Sequence, residues 1–144
     1  IFTEDLEAEH GMPAAAQAFK ELLMSHDGFL ISSPEYNSSY SPLFKNAIDW
    51  ASRQTGDEKP MAAYRGKMAA IMAASPGALG GMRVLVTLRM LLENIGTMVL
   101  PTQKAVGGAF KLFDETGNIN DEKTEKALKN LGKELVVTLT KLHN

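Results

Sequence analysis

One stretch, from Gly28 to Trp50, constrains more than any other what this chain can fold into. Gly28-Phe29-Leu30-Ile31 is an apolar run of strand length. It leads into a polar turn, Ser32-Ser33-Pro34-Glu35-Tyr36-Asn37-Ser38-Ser39-Tyr40. A helix follows, signalled by Ser41 at the N-cap and Pro42 at the first helical position. Strand, turn and helix in that order place the turn at the carboxyl end of a sheet strand, where open α/β sheets bind their ligands. The content of the turn suits that place. Pro34 stiffens it, Tyr36 offers an aromatic face, and Asn37 with the serines offers amides and hydroxyls.

The same grammar recurs downstream. Lys67 to Ala74 is rich in alanine and methionine, which favour helices. Arg65-Gly66 and Ser75-Pro76-Gly77 bound it at strand length, so a strand is expected. The glycine-rich loop Ser75–Gly81 then opens a helix from about Met82 to Ile95, an arrangement that exposes backbone N–H groups to anionic or carbonyl oxygens. That helix is apolar nearly all round, which implies cover on more than one side and a subunit contact. Thr97–Pro101 reads as a third strand, and Gln103–Phe113 as a connection in which Phe110, Leu112 and Phe113 seek burial. A last helix is expected with Asn120 as its cap and Leu128, Leu131, Leu135, Leu139 and Leu142 on one face.

Upstream, Ile1–Leu6 reads as the exit from a strand, and Glu7–Gly11 as a polar loop in which His10 is a solvated side chain. Met12-Pro13 opens a helix to about His26, with Ala16, Phe19, Leu22 and Leu23 on its apolar stripe. On the helix after the turn, Leu43, Ala47, Trp50 and Ala51 are expected to share one face, with Phe44 and Ile48 widening the apolar arc and Lys45 and Asp49 paired one turn apart. The segment around Gly56–Pro60 reads as a mobile loop.

At 144 residues the chain reads as a single domain, 1–144, with a sizeable core. A formal net charge of −2 points to neither nucleic acid nor an anionic membrane as partner. Cysteine is absent, which excludes disulfides, thiolate catalysis and cysteine-ligated metal, and fits a reducing cytoplasm. No apolar run approaches the roughly 20 residues that span a bilayer.

Ser-Pro-Glu-Tyr-Asn at 33–37, joined to Lys-Asn-Ala-Ile-Asp-Trp at 45–50, resembles the signature of the NAD(P)H-dependent FMN reductases, which include quinone, chromate and azo-dye reductases. The resemblance implies a flavodoxin-like, three-layer α/β fold with a parallel sheet. It also implies bound FMN, NAD(P)H as cosubstrate, a small-molecule electron acceptor, and a homodimer or homotetramer. Carried onto this sequence, it assigns Pro34, Glu35, Tyr36 and Asn37 to the flavin ring, with backbone amides around Glu35–Asn37 serving N5 and O4. It assigns Ser75, Gly77 and Gly80 to the pyrimidine edge. No residue is expected to act as acid, base or nucleophile, since the cofactor carries the chemistry; for Glu35, tying down the loop or a helix is the preferred role. No metal is implied.

The family's phosphate-binding turn is absent from these residues, so the chain reads as a member without its first βαβ unit, through truncation, processing or disorder. Two alternatives to a reductase stand beside this reading. One is a flavodoxin-type electron carrier, although such carriers are usually strongly acidic. The other is a non-enzymatic remnant that binds flavin poorly.

Overall fold

The computed structural model describes residues 1–143. Three parallel strands form its centre in the order β1 (Gly28–Ser33), β2 (Met68–Ala74) and β3 (Met98–Val106). Six helices accompany them: α1 (Glu4–His10), α2 (Ala14–Met24), α3 (Pro42–Ser52), α4 (Met82–Asn94), α5 (Ala109–Leu112) and α6 (Glu122–His143). β1 and β2 run in register from Gly28 opposite Met68 to Ser33 opposite Ala73, so both strands end at the same level.

The middle strand decides the layering. Ala69, Ile71 and Ala73 of β2 face one core, with Ile48 and Ala51 of α3 and Val84, Leu85, Leu88 and Leu92 of α4. The alternate residues Met68 and Ala70 face the other core, with Leu100 of β3 and Leu131 and Leu135 of α6. A strand covered on both faces alternates nothing in polarity, and small side chains let the helices approach closely. Burial therefore overrides the helix propensity of this alanine-rich run. The outcome is the expected three-layer α/β sandwich.

Several sequence expectations need correction. The segment after Thr3 is helical, not strand exit and loop: Thr3 Oγ1 accepts from the Leu6 N–H at 3.1 Å, and Glu4, Asp5 and Glu7 sit in the positive first turn. Pro13 precedes α2 as its cap, so that helix starts later and ends at Met24, short of His26. β3 runs on to Val106, through what reads as a connection. The partner of Ala69 is Val99 while that of Ile71 is Gln103, so a bulge spans Pro101, and the ladder resumes beyond it. α6 is capped by Asp121, whose Oδ2 accepts from Thr124 N–H at 2.7 Å, not by Asn120. Leu43 is 77% exposed, because the buried face of α3 runs through Ile48 and Ala51 with Trp50 beside it. Trp50 stacks edge-on to Phe2 at 5.0 Å. Phe110, on the four-residue α5, is 86% exposed. The Lys45–Asp49 pair forms as expected, at 2.7 and 2.8 Å.

The buried face of α2 holds a surprise. Lys20 is 1% exposed, while Leu22 of the predicted apolar stripe is 57% exposed and Phe19 only partly covered. The Lys20 ammonium donates to Arg53 O at 2.7 Å, to Thr55 Oγ1 at 2.8 Å and to the Glu58 carboxylate, satisfying all three of its protons. The segment that reads as a mobile loop is thus tied to α2. The same carboxylate accepts from the N–H and hydroxyl of Thr55. These bonds, that of Lys20 first, hold the Glu58 carboxyl below its ordinary range.

A depressed folded-state pKa contributes stability above the unfolded carboxylate value and loses it as pH falls through the folded one. Thermal unfolding followed from neutral to acid pH is therefore expected to fall more steeply for the unaltered chain than for Glu58→Gln. Lys20→Ala, which leaves the carboxylate without its cation, is expected to cost about 3 kcal/mol at neutral pH by denaturant titration.

Candidate functional site

The turn after β1 is built by its own backbone. Tyr36 and Ser39 exchange both main-chain hydrogen bonds, N to O at 2.8 Å and 3.0 Å. The two residues between them, Asn37 and Ser38, have φ of +51° and +68°, the left-handed conformation of both central residues in a type I′ turn. Asparagine accepts that conformation readily, and serine less so. Ser33 closes the strand side, donating its hydroxyl to Pro34 O at 3.0 Å, and Ser41 closes the helix side, accepting from Phe44 N–H at 3.2 Å. The turn lifts Tyr36 and Asn37 off the core; Tyr36 is 57% exposed. The Tyr36 N–H is spent inside the turn, so the amides that can face a ligand here are those on either side of it.

The second loop is shaped by glycines. Gly80 is buried at φ +62°, and a Cβ there would lie 2.5–2.6 Å from backbone atoms of Val106 and Gly107. Its N–H donates to Gly77 O, and its carbonyl accepts from Val106 N–H. Gly80 therefore seats the loop on the end of β3 and directs no group outward. Ser75 and Gly77 lie nearer the surface: Ser75 N–H donates to Val106 O, while Ser75 Oγ accepts from Gly77 N–H at 3.3 Å. Gly107-Gly108, flexible by sequence, is the platform this loop rests on, with Gly108 N–H donating to Gly77 O. Paired glycines at 80–81 and 107–108 are the signal that could have joined the two segments.

Glu35 links the turn to α4, the helix that follows the loop. Its Oε2 accepts from the Arg83 and Val84 N–H groups at 3.0 and 3.1 Å, at the amino end of α4. The Arg83 guanidinium lies 3.9 Å from the other oxygen. Sequence reading expects Glu35 to tie down its own loop or the following helix; the helix it holds is the next one, and neither Arg83 nor Val84 stands out by motif. Pro34–Asn37 and Ser75–Gly81 thus follow the carboxyl ends of the paired strands β1 and β2, and Glu35 is the residue among them that bonds across, to the start of α4.

A separate apolar groove of about 430 Å³ runs along β1, lined among others by Phe19, Leu22, Phe29 and Ile31. None of the predicted site residues lines it. His26, Ser32 and Tyr64 are its polar lining, and the Tyr64 hydroxyl already donates to Ile48 O, so the groove offers chiefly apolar shape.

A family profile described as NADPH-dependent FMN reductase matches residues 1–111. The chain is 36% identical over 126 residues to a quinone reductase of Escherichia coli (strain K12), an alignment covering 86% of this chain and 64% of that protein. It is 36% identical over 129 residues to an NAD(P)H-dependent FMN reductase of Pseudomonas aeruginosa, covering 89% of this chain and 66% of the relative. The chain therefore spans about 64–66% of the length of these curated relatives. Among solved structures it superposes on FerB, a flavoenzyme NAD(P)H:(acceptor) oxidoreductase from Paracoccus denitrificans, with a TM-score of 0.81 at 30% identity, covering 97% of this chain and 74% of that one.

The two loop glycines separate packing from mere position. Gly80→Ala meets three backbone atoms of Val106–Gly107 at positive φ, and is expected to destabilise the chain by at least about 2 kcal/mol. Gly77→Ala meets only Ser75 Oγ at 3.8 Å and is expected to change stability by less than about 0.5 kcal/mol. Denaturant midpoints of the two variants provide the check.

Proposed function

The chain belongs to the NADPH-dependent FMN reductase family, and from that premise we propose that it serves NAD(P)H-dependent reduction of a small acceptor through non-covalently bound FMN. A quinone, a flavin, an azo compound or a metal oxyanion is the acceptor class. The observation that carries this reading is the turn that presents Tyr36 and Asn37 to solvent, tied by Glu35 to the start of α4, the helix that the Ser75–Gly81 loop leads into.

The residues present fit the edge of a flavin ring. Tyr36 offers an exposed aromatic face, Asn37 a side-chain amide, and Ser75 a hydroxyl whose proton is free to be donated outward. Gly77 leaves room for close approach, since only Ser75 Oγ lies within 4 Å of where its Cβ would stand. FMN, when bound, supplies the two-electron redox chemistry; the protein supplies placement and exclusion of competing reactions. The chain's own groups therefore bind and orient. Tyr36 and Asn37 wall the ring, the amides beside Tyr36 meet its polar edge, and Gly80 holds the opposing loop in place. Such a site requires no tuned acid or base.

Two further features belong to the proposal. The outer face of α4 exposes Met82, Val86 and Met90 at helical spacing, which supports a homodimer or homotetramer. Among the described residues no helix is long and apolar enough to cross a membrane, and the absence of cysteine favours a reducing cytoplasm.

Purified protein supplied with excess FMN, NADPH and a quinone is expected to consume NADPH faster than FMN and quinone without protein. Consumption no faster than that blank overturns the reading. Tyr36→Ala is expected to weaken FMN binding about threefold to tenfold, as loss of an aromatic contact of about 0.5–1.5 kcal/mol implies. Its melting temperature is expected to stay unchanged, because the side chain is already in solvent. Fluorescence titration and thermal unfolding read the two effects.

A further inference from the structure

We propose that Glu35 is a positioning residue that sets the spacing between the two loops of the site, using the amino end of α4 as its anchor. The inference rests on the flavin reading above and adds to it what holds the two walls at a fixed distance.

The geometry begins with a cap that α4 cannot supply for itself. Its N-cap is Gly81, at φ +84° and with no side-chain hydrogen bond to the helix. A Cβ on Gly81 would lie 2.6 Å from Ala73 Cβ on β2, so the close seat of the helix on the strand excludes serine, threonine or aspartate there. The first-turn N–H groups still need acceptors, and Val84 is fully buried. Glu35 provides one oxygen to both the Arg83 and Val84 N–H groups from a side chain that is 15% exposed. α1, α3 and α6 are capped by Thr3, Ser41 and Asp121, each immediately before its own helix. The α4 cap alone among these comes from a residue 48 positions away.

Distance turns a local cap into a brace. Glu35 stands between Pro34, whose ring fixes φ, and Tyr36, whose backbone closes the I′ turn. With its carboxylate held by α4, the backbone beside Tyr36 and Asn37 is tethered to that helix within the reach of one side chain. At the other end, Gly81 joins Gly80, which is wedged against Val106 and Gly107. The carboxylate thus fixes the first wall of the site relative to the second without itself needing to touch a ligand.

The deciding experiment is hydrogen exchange on the flavin-free chain, followed by FMN titration, for Glu35→Ala, Glu35→Gln and Asp121→Ala. The last removes a helix cap far from the site. In Glu35→Ala, the hydrogen-bonded amides of Tyr36 and Ser39 in the turn and of Gly80 in the loop are expected to exchange at least about tenfold faster, with β2 unaffected. FMN affinity is expected to fall about tenfold to a hundredfold, the scale of a lost charged hydrogen-bond pair. Glu35→Gln keeps an acceptor in place and is expected to restore most of both effects, whereas Asp121→Ala is expected to change neither. Unchanged exchange at Tyr36 and Ser39 in Glu35→Ala overturns the proposal, as does an equal loss of FMN affinity in Asp121→Ala. Coupled exchange in a chain that binds no FMN upholds the brace and overturns the flavin reading instead.

Discussion

Two-sided burial of β2 is the constraint on which the rest of the structure depends. Ala69, Ile71 and Ala73 look toward α3 and α4, and Met68 and Ala70 toward α6, so one seven-residue strand belongs to both cores. Each fully buried leucine of α4 contributes roughly 1.5–3 kcal/mol relative to exposure, and those leucines find their place only because alanine faces them. Larger side chains on β2 would push the helices outward and carry the loops at the strand ends with them. The in-register pairing of β1 with β2 then brings the turn after Ser33 level with the loop after Ala74.

The same close packing creates the problem that Glu35 solves. With Gly81 pressed against Ala73, α4 has no room for a capping side chain of its own, and its first-turn amides lie at the edge of the core. A carboxylate from the neighbouring loop answers the helix dipole and those amides together. The turn that delivers it holds two non-glycine residues in the left-handed region, each at a conformational cost of about 1–3 kcal/mol. The paired main-chain bonds of Tyr36 and Ser39 offset part of that cost. Rigidity of this kind leaves little ordering to be done on binding, which is what the proposed flavin site would need.

Much of this was legible in the residues. β1, the Ser41 cap with Pro42 behind it, the Lys45–Asp49 pair and the β2 and α4 spans follow from local chemistry, and the structure places them as expected. Local chemistry misled where two signals competed. Thr3 with three acids behind it is a helix start, yet the apolar pair ahead of it resembles a strand end. Pro101 reads as the end of β3, although a bulge lets the ladder pass it. Leu43 and Phe110 are apolar without being buried, because the helices carrying them turn other faces to the core. Lys20 is the opposite case. A lysine at the centre of an apolar stripe is buried because three acceptors, all more than thirty positions along the chain, converge on it.

By itself, the sequence determined the order of the three strands and of α2, α3, α4 and α6, the strand–turn–helix that carries Pro34–Asn37, and membership of the FMN reductase family through that motif. Those are properties of neighbouring residues, written in propensity, capping and spacing. Tertiary structure alone decided that Glu35 reaches α4, that Gly80 packs inward while Ser75 and Gly77 stay near the surface, and that Lys20 is buried. Each of these depends on backbones far apart in the chain coming within hydrogen-bond or van der Waals distance. No local pattern encodes such an approach; it arises when helices close on both faces of one thin strand.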